Sequence, residues 1–244
     1  MPLSLFKDFN PDDCSLINQR IDIWQYPLHT EFDAAQSVLS NDELARARRY
    51  HFARHQRRFT VARAMLRLII SRYINIPPEQ IEFTYNPQGK PALANAPLLQ
   101  FNLSHSGDRA LLAIGSHFPL GIDLEFFSAR PYEGIGRQIF SVKESEALYQ
   151  LPAMLKPLGF FHLWAQKEAL IKACGLGLSY PTKQFDVALL PPANQQLLDP
   201  EFKQRWRIIS FMPAISCCAA LCHHPDVHEI RYLTLGTSGL VMQK

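Results

Sequence analysis

The sequence predicts an α+β fold of two similar lobes in a pseudo-two-fold arrangement, with the active site in the cleft between them. Three observations support it. Each half carries a long segment with helical periodicity and several short segments that alternate as strands. The elements follow a common order in both halves without an identity-level repeat, which divides the chain near residue 118 into an N-terminal lobe, 1–118, and a C-terminal lobe, 119–244. Acidic residues from separate elements, Asp123 and Glu125 on one and Glu168 on another, are placed to line a common cleft.

With 244 residues, 47% of them hydrophobic and 19% charged, the chain can bury a core in one or two domains, and disorder is excluded. A net charge of +3 is too small to demand nucleic acid, but it suits an anionic small molecule or an acidic protein partner. No apolar run approaches the roughly 18 residues of a membrane span. The start, MPLSLFKDFNPDDC, lacks the basic and apolar segments of a signal peptide, so a cytoplasmic monomer that engages no membrane is expected. Five cysteines without a CxxC pair argue against a disulfide framework. Cys217, Cys218, Cys222, His223 and His224 are zinc-ligand types, yet AISCCAALCHH reads better as a buried strand whose adjacent cysteines point to opposite faces.

Taken in order, RIDIWQYPL at 20–28 alternates as a strand until Pro27 disturbs it. Ser40-Asn41-Asp42-Glu43 is a capping-box signature. The helix it opens, or a pair broken near 51–55, runs to Tyr73 ahead of Ile76-Pro77-Pro78, with Phe59, Ala62, Leu66, Ile69 and Ile70 in its apolar stripe. Nine arginines lie between Arg46 and Arg72; most belong on a solvated face, although guanidinium groups are also the usual planar partners of phosphate. Strands are expected at 81–85 and 100–104, separated by a turn over Asn86–Pro91. Beyond Ser104-His105-Ser106-Gly107, residues 110–115 and 120–127 read as a hairpin around Ser116–Pro119. A short helix, SVKESEALYQL, precedes a long one over Phe161–Leu178 that Gly175-Leu176-Gly177 stops. Strands at about 184–190, 204–212, 214–222 and 228–235 complete the order.

In the long helix, Phe160, Leu163, Trp164, Leu170 and Ile171 share one face with Lys167 in its middle. Glu168 lies one step round and forms an i,i+4 pair with Lys172. A surface helix explains Glu168 and Lys172. It does not explain Lys167, which either snorkels or needs an anionic partner. In GIDLE at 121–125, strand alternation puts Asp123 and Glu125 on one face, where they repel unless a cation intervenes. Hard oxygen ligands so spaced suit Mg²⁺, which often keeps substrate phosphate oxygens in its shell. A half-exposed strand with a solvated polar face would carry the same pattern.

These segments together resemble the 4′-phosphopantetheinyl transferases of the longer, two-lobed (surfactin-synthetase-activating) type. The match covers nearly the whole chain: a basic helix, Gly89-Lys90-Pro91, FNLSHS at 101–106, GIDLE at 121–125, Phe140-Ser141 with Glu144, and WAQKEALIK at 164–172, which fits W-x-x-K-E-A-x-x-K. The resemblance implies transfer of the phosphopantetheine arm of coenzyme A to a serine of an apo acyl or peptidyl carrier protein, releasing adenosine 3′,5′-bisphosphate. It implies that Asp123, Glu125 and Glu168 bind Mg²⁺, or Mn²⁺ in its place, and that Lys172 stabilises charge on the phosphorus and leaving group. Its candidate bases are Glu168, acting while metal-bound, and Glu144 assisting it, with a metal-bound water as the alternative relay. Ser104 and His105 resemble contacts to coenzyme A phosphates, Arg58 a contact near the 3′-phosphate, Arg46 a phosphate contact, Gly89-Lys90-Pro91 the adenine wall, and Lys167 a lysine beside the phosphates and carboxylates. Two departures stand out: Glu43 occupies a position that is often basic in the family, and Gly175-Leu176-Gly177 replaces a common G-K-G.

A Mg²⁺-dependent phosphohydrolase or nuclease would use the same carboxylates with water as nucleophile. An RNA-binding module would use the arginine-rich helix but lacks an aromatic-rich recognition strand. A Ser104/His105/Asp123 hydrolase fails, because adjacent residues of a strand point oppositely and no G-x-S-x-G elbow is present.

Overall fold

Strand alternation over residues 20–27 puts Ile21 and Ile23 on one face and Trp24 and Tyr26 on the other, so both faces carry large apolar side chains, a pattern suited to the middle of a sheet covered on either side. That is where they lie. In the computed structural model, which describes residues 5–8, 14–29, 33–128, 133–199 and 201–234, the first sheet has five strands. Across the sheet they run β1 (Lys7–Asp8), β11 (Glu229–Thr234), β2 (Arg20–Pro27), β6 (Arg109–Ser116) and β5 (Leu99–Ser106). Trp24 and Tyr26 face a helical layer, and Ile21 and Ile23 face a second sheet.

The helical layer is α1 (Asn41–Arg48) and α2 (Ala53–Ile74), so the basic stretch is a pair of helices rather than one. Glu43 closes the Ser40 capping box and also accepts hydrogen bonds from Arg63 (2.5 Å) and Arg67 (2.7 Å). An acidic residue at this position therefore serves the structure, because it neutralises two of the arginines. Val61, Ala62, Met65, Leu66, Ile69 and Ile70 of α2 pack on Trp24, Tyr26, Phe101 and Leu112. Asn75, at φ 53°, ends the helix in the left-handed conformation. A small hairpin, β3 (Phe83–Tyr85) and β4 (Pro91–Leu93), holds the Asn86–Pro91 turn at its tip.

The hairpin expected over 110–127 does not form. Both edges of β6 are already paired, to β2 and β5, so β7 (Gly121–Phe126) crosses into a second sheet ordered β7, β10 (Cys217–His223), β9 (Arg205–Ala214), β8 (Ala193–Leu198). The strand expected at 184–190 is also irregular chain, because side chains rather than a neighbouring strand satisfy its backbone. Lys167 takes the carbonyls of Thr182 and Phe185, Gln166 that of Ala188, and Glu144 the Val187 N–H. The cysteines behave as expected of a buried strand, with Cys217 and Cys218 in different cores.

Over the second sheet lie α3 (Glu133–Ile139), α4 (Val142–Gln150) and α5 (Lys156–Cys174). The layers run helix, sheet, sheet, helix, and the sheets meet through Ile21, Ile23, Leu111 and Ala113 against Ile122, Leu124, Ala219 and Leu221. Each lobe is thus a sheet with a long helix on its outer face. The division at residue 118 falls between β6 and β7, but β11 corrects the assignment of all of 119–244 to the second lobe. It returns to pair in parallel with β2, and Arg231 holds Asp22 through both carboxylate oxygens at 2.7 and 2.8 Å.

Helix α5 crosses β7 at Gly121 with almost no clearance: a Cβ there would stand 2.1 Å from the Ala169 carbonyl and 2.4 Å from the Ala173 nitrogen. Gly121→Ala is expected to destabilise the fold by about 3 kcal/mol or more, the upper end for overpacking, measured from urea denaturation midpoints. A loss below about 1 kcal/mol would mean that helix and strand separate freely.

Candidate active site

The close crossing at Gly121 sets Lys172 directly over β7. Its Nζ lies 2.5 Å from Asp123 Oδ1, 3.1 Å from Ser104 Oγ and 3.3 Å from the Ile122 carbonyl. Ser104 reaches the same point from β5. Its hydroxyl donates to Asp123 Oδ1 at 3.0 Å and accepts the Leu124 N–H at 3.2 Å, which with Lys172 uses its full bonding capacity. Asn102 Oδ1 and Ser106 Oγ accept the N–H groups of Ile122 and Phe126 at 2.9 and 3.1 Å. Alternate residues of β5 thus replace a backbone ladder along the outer edge of β7. Neither Asn102 nor Ser106 stood out in the sequence, although small polar side chains at every second position of a strand are the signal.

Asp123 is buried, and its Oδ2 has no hydrogen-bond partner. Glu125, half-buried on the same face, accepts the Trp164 indole N–H at 3.0 Å and the Ser106 hydroxyl at 3.4 Å. Burial, followed by the Asp123 charge, pushes its pKa up to about 7, and Lys172 only partly offsets them. Glu168 is raised for the same reasons, by burial and then by Asp123. One lysine therefore compensates a cluster of carboxylates incompletely. No three Asp, Glu, His or Cys side chains among the described residues already converge as a metal-holding set. The orphaned Oδ2 and the mutual repulsion nevertheless fit a cation between them.

Clefts open on both sides. One, of about 230 Å³, is walled by Gln88, Gly89, Lys90 and Pro91 of the first lobe and by Glu168 and Lys172 of α5 with Gly175, which caps it. The other, of about 260 Å³, has Glu125 at its edge and is otherwise largely apolar, with Phe126, Ile135, Phe160, Phe161 and Trp164. Lys90 borders the first cleft with its stem, while its Nζ donates to the carbonyls of Ala173 and Leu120 at 2.9 and 3.2 Å. Burial lowers its pKa to about 8.

Arg58 pairs with Asp108 at 2.7 Å beside the β5–β6 turn, and exposed Arg46 lies over the Phe59 ring. His105 stands near both Arg58 and Lys172. Its pKa is lowered by the surrounding protein and then by those two charges.

Glu144 and Lys167 form a pair of their own, away from the parts expected of them, Glu144 as a candidate base and Lys167 as a lysine beside the phosphates. Lys167 is fully buried with its Nζ 2.9 Å from Glu144 Oε2. It also donates to the carbonyls of Thr182 and Phe185 and sits over the Phe185 ring. Glu144 further accepts the N–H groups of Ser141 (2.8 Å) and Val187 (2.7 Å), as the capping box of α4 requires. Both charges are occupied in tying α4, α5 and the 182–187 segment together, so neither is free to move a proton or hold a phosphate.

Carboxylates at a lobe junction, a lysine against them and a polar cleft beside them describe an enzyme for phosphate-bearing substrates, in which charge stabilisation carries the reaction. Comparison with known proteins agrees. Residues 23–117 match the family described as 4′-phosphopantetheinyl transferase, N-terminal, and residues 119–220 match the 4′-phosphopantetheinyl transferase superfamily. The chain is 36% identical to the 4′-phosphopantetheinyl transferase HetI of Nostoc sp., over 86% of this chain and 90% of that one. It is 34% identical to psf-1 of Bacillus pumilus (70% and 72%) and 30% identical to Sfp of Bacillus subtilis (82% and 88%), both also 4′-phosphopantetheinyl transferases. The chain belongs to the 4′-phosphopantetheinyl transferases.

Lys167→Met leaves the Glu144 carboxylate buried without its counter-ion and is expected to cost about 3 to 5 kcal/mol of stability. The fraction that remains folded at low temperature should transfer phosphopantetheine within about threefold of the native rate, because the pair lies outside the chemistry. Denaturant titration and single-turnover transfer measure the two effects. A large fall in rate without loss of stability would return Lys167 to the site.

Proposed function

We propose that this transferase uses Mg²⁺, for which Mn²⁺ can substitute, held by Asp123, Glu125 and Glu168. It moves the 4′-phosphopantetheine of coenzyme A to a serine of an apo acyl or peptidyl carrier protein. The observation that carries this reading is the buried Asp123, bound to Lys172 through Oδ1 and unpartnered at Oδ2, beside a cleft walled by Gly89-Lys90-Pro91. When bound, the metal would neutralise pyrophosphate charge and polarise the phosphorus under attack.

The remaining work falls to the chain's own side chains. The serine oxygen forms a bond to phosphorus as the bond to the leaving adenosine 3′,5′-bisphosphate breaks, and Lys172 stabilises the charge growing there. Of the two candidate bases, Glu168 borders the cleft and accepts the serine proton, whereas the buried Glu144 is held by Lys167 and by the N–H groups of Ser141 and Val187. Arg58 and Arg46 supply positive charge for the coenzyme A phosphates, and His105, whose pKa is lowered by burial and by the Lys172 and Arg58 charges, meets them as a neutral hydrogen-bonding imidazole. The apolar cleft at Glu125 offers a place for the pantetheine arm or an apolar carrier side chain.

Incubation with Mg²⁺, coenzyme A and an apo carrier should raise the carrier mass by one phosphopantetheine. Hydrolysis of coenzyme A with an unmodified carrier would overturn transfer. Asp123→Ala is expected to keep the fold, seen by circular dichroism, to lose Mg²⁺ binding in calorimetric titration, and to abolish transfer. Lys172→Ala should lower kcat by about 10² to 10³ while leaving coenzyme A affinity nearly unchanged, and an unaltered kcat would remove it from the catalytic set.

A further inference from the structure

We propose that Asn86 and Lys90 are positioning residues for transfer: from the first lobe they clamp the end of α5 and so fix Lys172 over Asp123. The inference rests on the reading of Lys172 as the residue that stabilises developing charge.

Lys172 and Asp123 sit on different elements, and each element is held just beside its reacting residue. Lys90 Nζ donates to the carbonyls of Ala173, which follows Lys172, and of Leu120, which immediately precedes β7. A single ammonium thus joins the two segments that carry the reacting pair. Asn86 Nδ2 donates to the Gly175 carbonyl at 2.8 Å, the second bond from the turn to the helix end. Carbonyls at a helix C-terminus have no partners within the helix and carry partial negative charge, so an amide and an ammonium are the donors suited to them.

The turn can act as a clamp because it is fixed internally. Asn86 Oδ1 accepts the N–H groups of Gln88 (3.0 Å) and Lys90 (2.7 Å), and the Asn86 carbonyl accepts the Gly89 N–H at 2.9 Å. It can approach closely because Gly175, at φ +73°, has no side chain: a Cβ there would lie 3.1 Å from Asn86 Nδ2 and 3.2 Å from Lys90 Cδ. Gln88 to Pro91 also wall the polar cleft, so the element that meets the ligand is the one that sets Lys172. Transfer chemistry is sensitive to displacement of a charged group by as little as about 1 Å.

Asn86→Asp isolates the clamp. It keeps an oxygen to accept the Gln88 and Lys90 N–H groups and replaces only the Nδ2 donor, setting an oxygen against the Gly175 carbonyl. Lys90→Met keeps the stem and removes the ammonium. Each is expected to slow single-turnover transfer about tenfold, with the coenzyme A dissociation constant held within about threefold and far-ultraviolet dichroism unchanged. In a Lys172→Met background the same substitutions should change the remaining rate less than about twofold, since they act through Lys172. Unaltered rates in the single variants overturn the inference, as does an equal fractional loss in both backgrounds when Lys172→Met is itself slow. A Lys172→Met enzyme with the native rate overturns both the role of Lys172 and the inference built on it.

Discussion

Every feature of the site depends on how β5 is joined to β7. The two strands belong to different sheets, and β7 is an edge whose outward N–H groups would be orphaned in the interior at about 1 to 3 kcal/mol each. Asn102, Ser104 and Ser106 supply the missing acceptors at alternate positions. A ladder of side chains differs from a backbone ladder in one respect: its rungs have capacity to spare. Ser104 uses that capacity to hold Asp123 and receive Lys172, and Ser106 uses it to reach Glu125. The seam between the sheets and the carboxylate cluster are therefore one structure.

On the other face of β7 the constraint is spatial. Gly121 lets the backbone of α5 rest on the strand, which brings a helix residue and a strand residue within 2.5 Å while the sheets' apolar faces exclude water behind them. The charges in the second lobe divide into two sets with opposite logic. Lys167 and Glu144 saturate each other and organise a helix cap and an irregular segment. Asp123, Glu125, Glu168 and Lys172 are left short of positive charge. An incompletely satisfied cluster is stable only because the packing around it is well satisfied.

Much of this was legible in the sequence. Periodicity found the long helices, alternation found β2, the run of small buried residues found β10, and the capping box at Ser40 located α1. The anomaly of Lys167 was visible too, but its partner was not: Glu144 sits in a different helix, and S-V-K-E also serves as a capping box, so one carboxylate answers two local signals. The 110–127 hairpin failed because alternation and a turn describe a strand pair without saying whether an edge is free. The 184–190 segment has a strand's apolar spacing, yet its backbone is claimed by Lys167, Gln166 and Glu144 from other elements. Asn86 read as turn chemistry, which it is; that its amide also crosses to α5 depends on a distance no local pattern encodes.

The return of β11 to the first sheet bears on how the molecule is made. A ribosome releases the N-terminal strands long before the strand that completes their sheet, so β2 must wait with one edge open while most of the chain follows it. Asp22, buried and bound by Arg231, acquires that counter-ion only then. The division between lobes visible in the finished protein is consequently not a division between independent folding units, and a chain cut at the junction would leave both pieces incomplete.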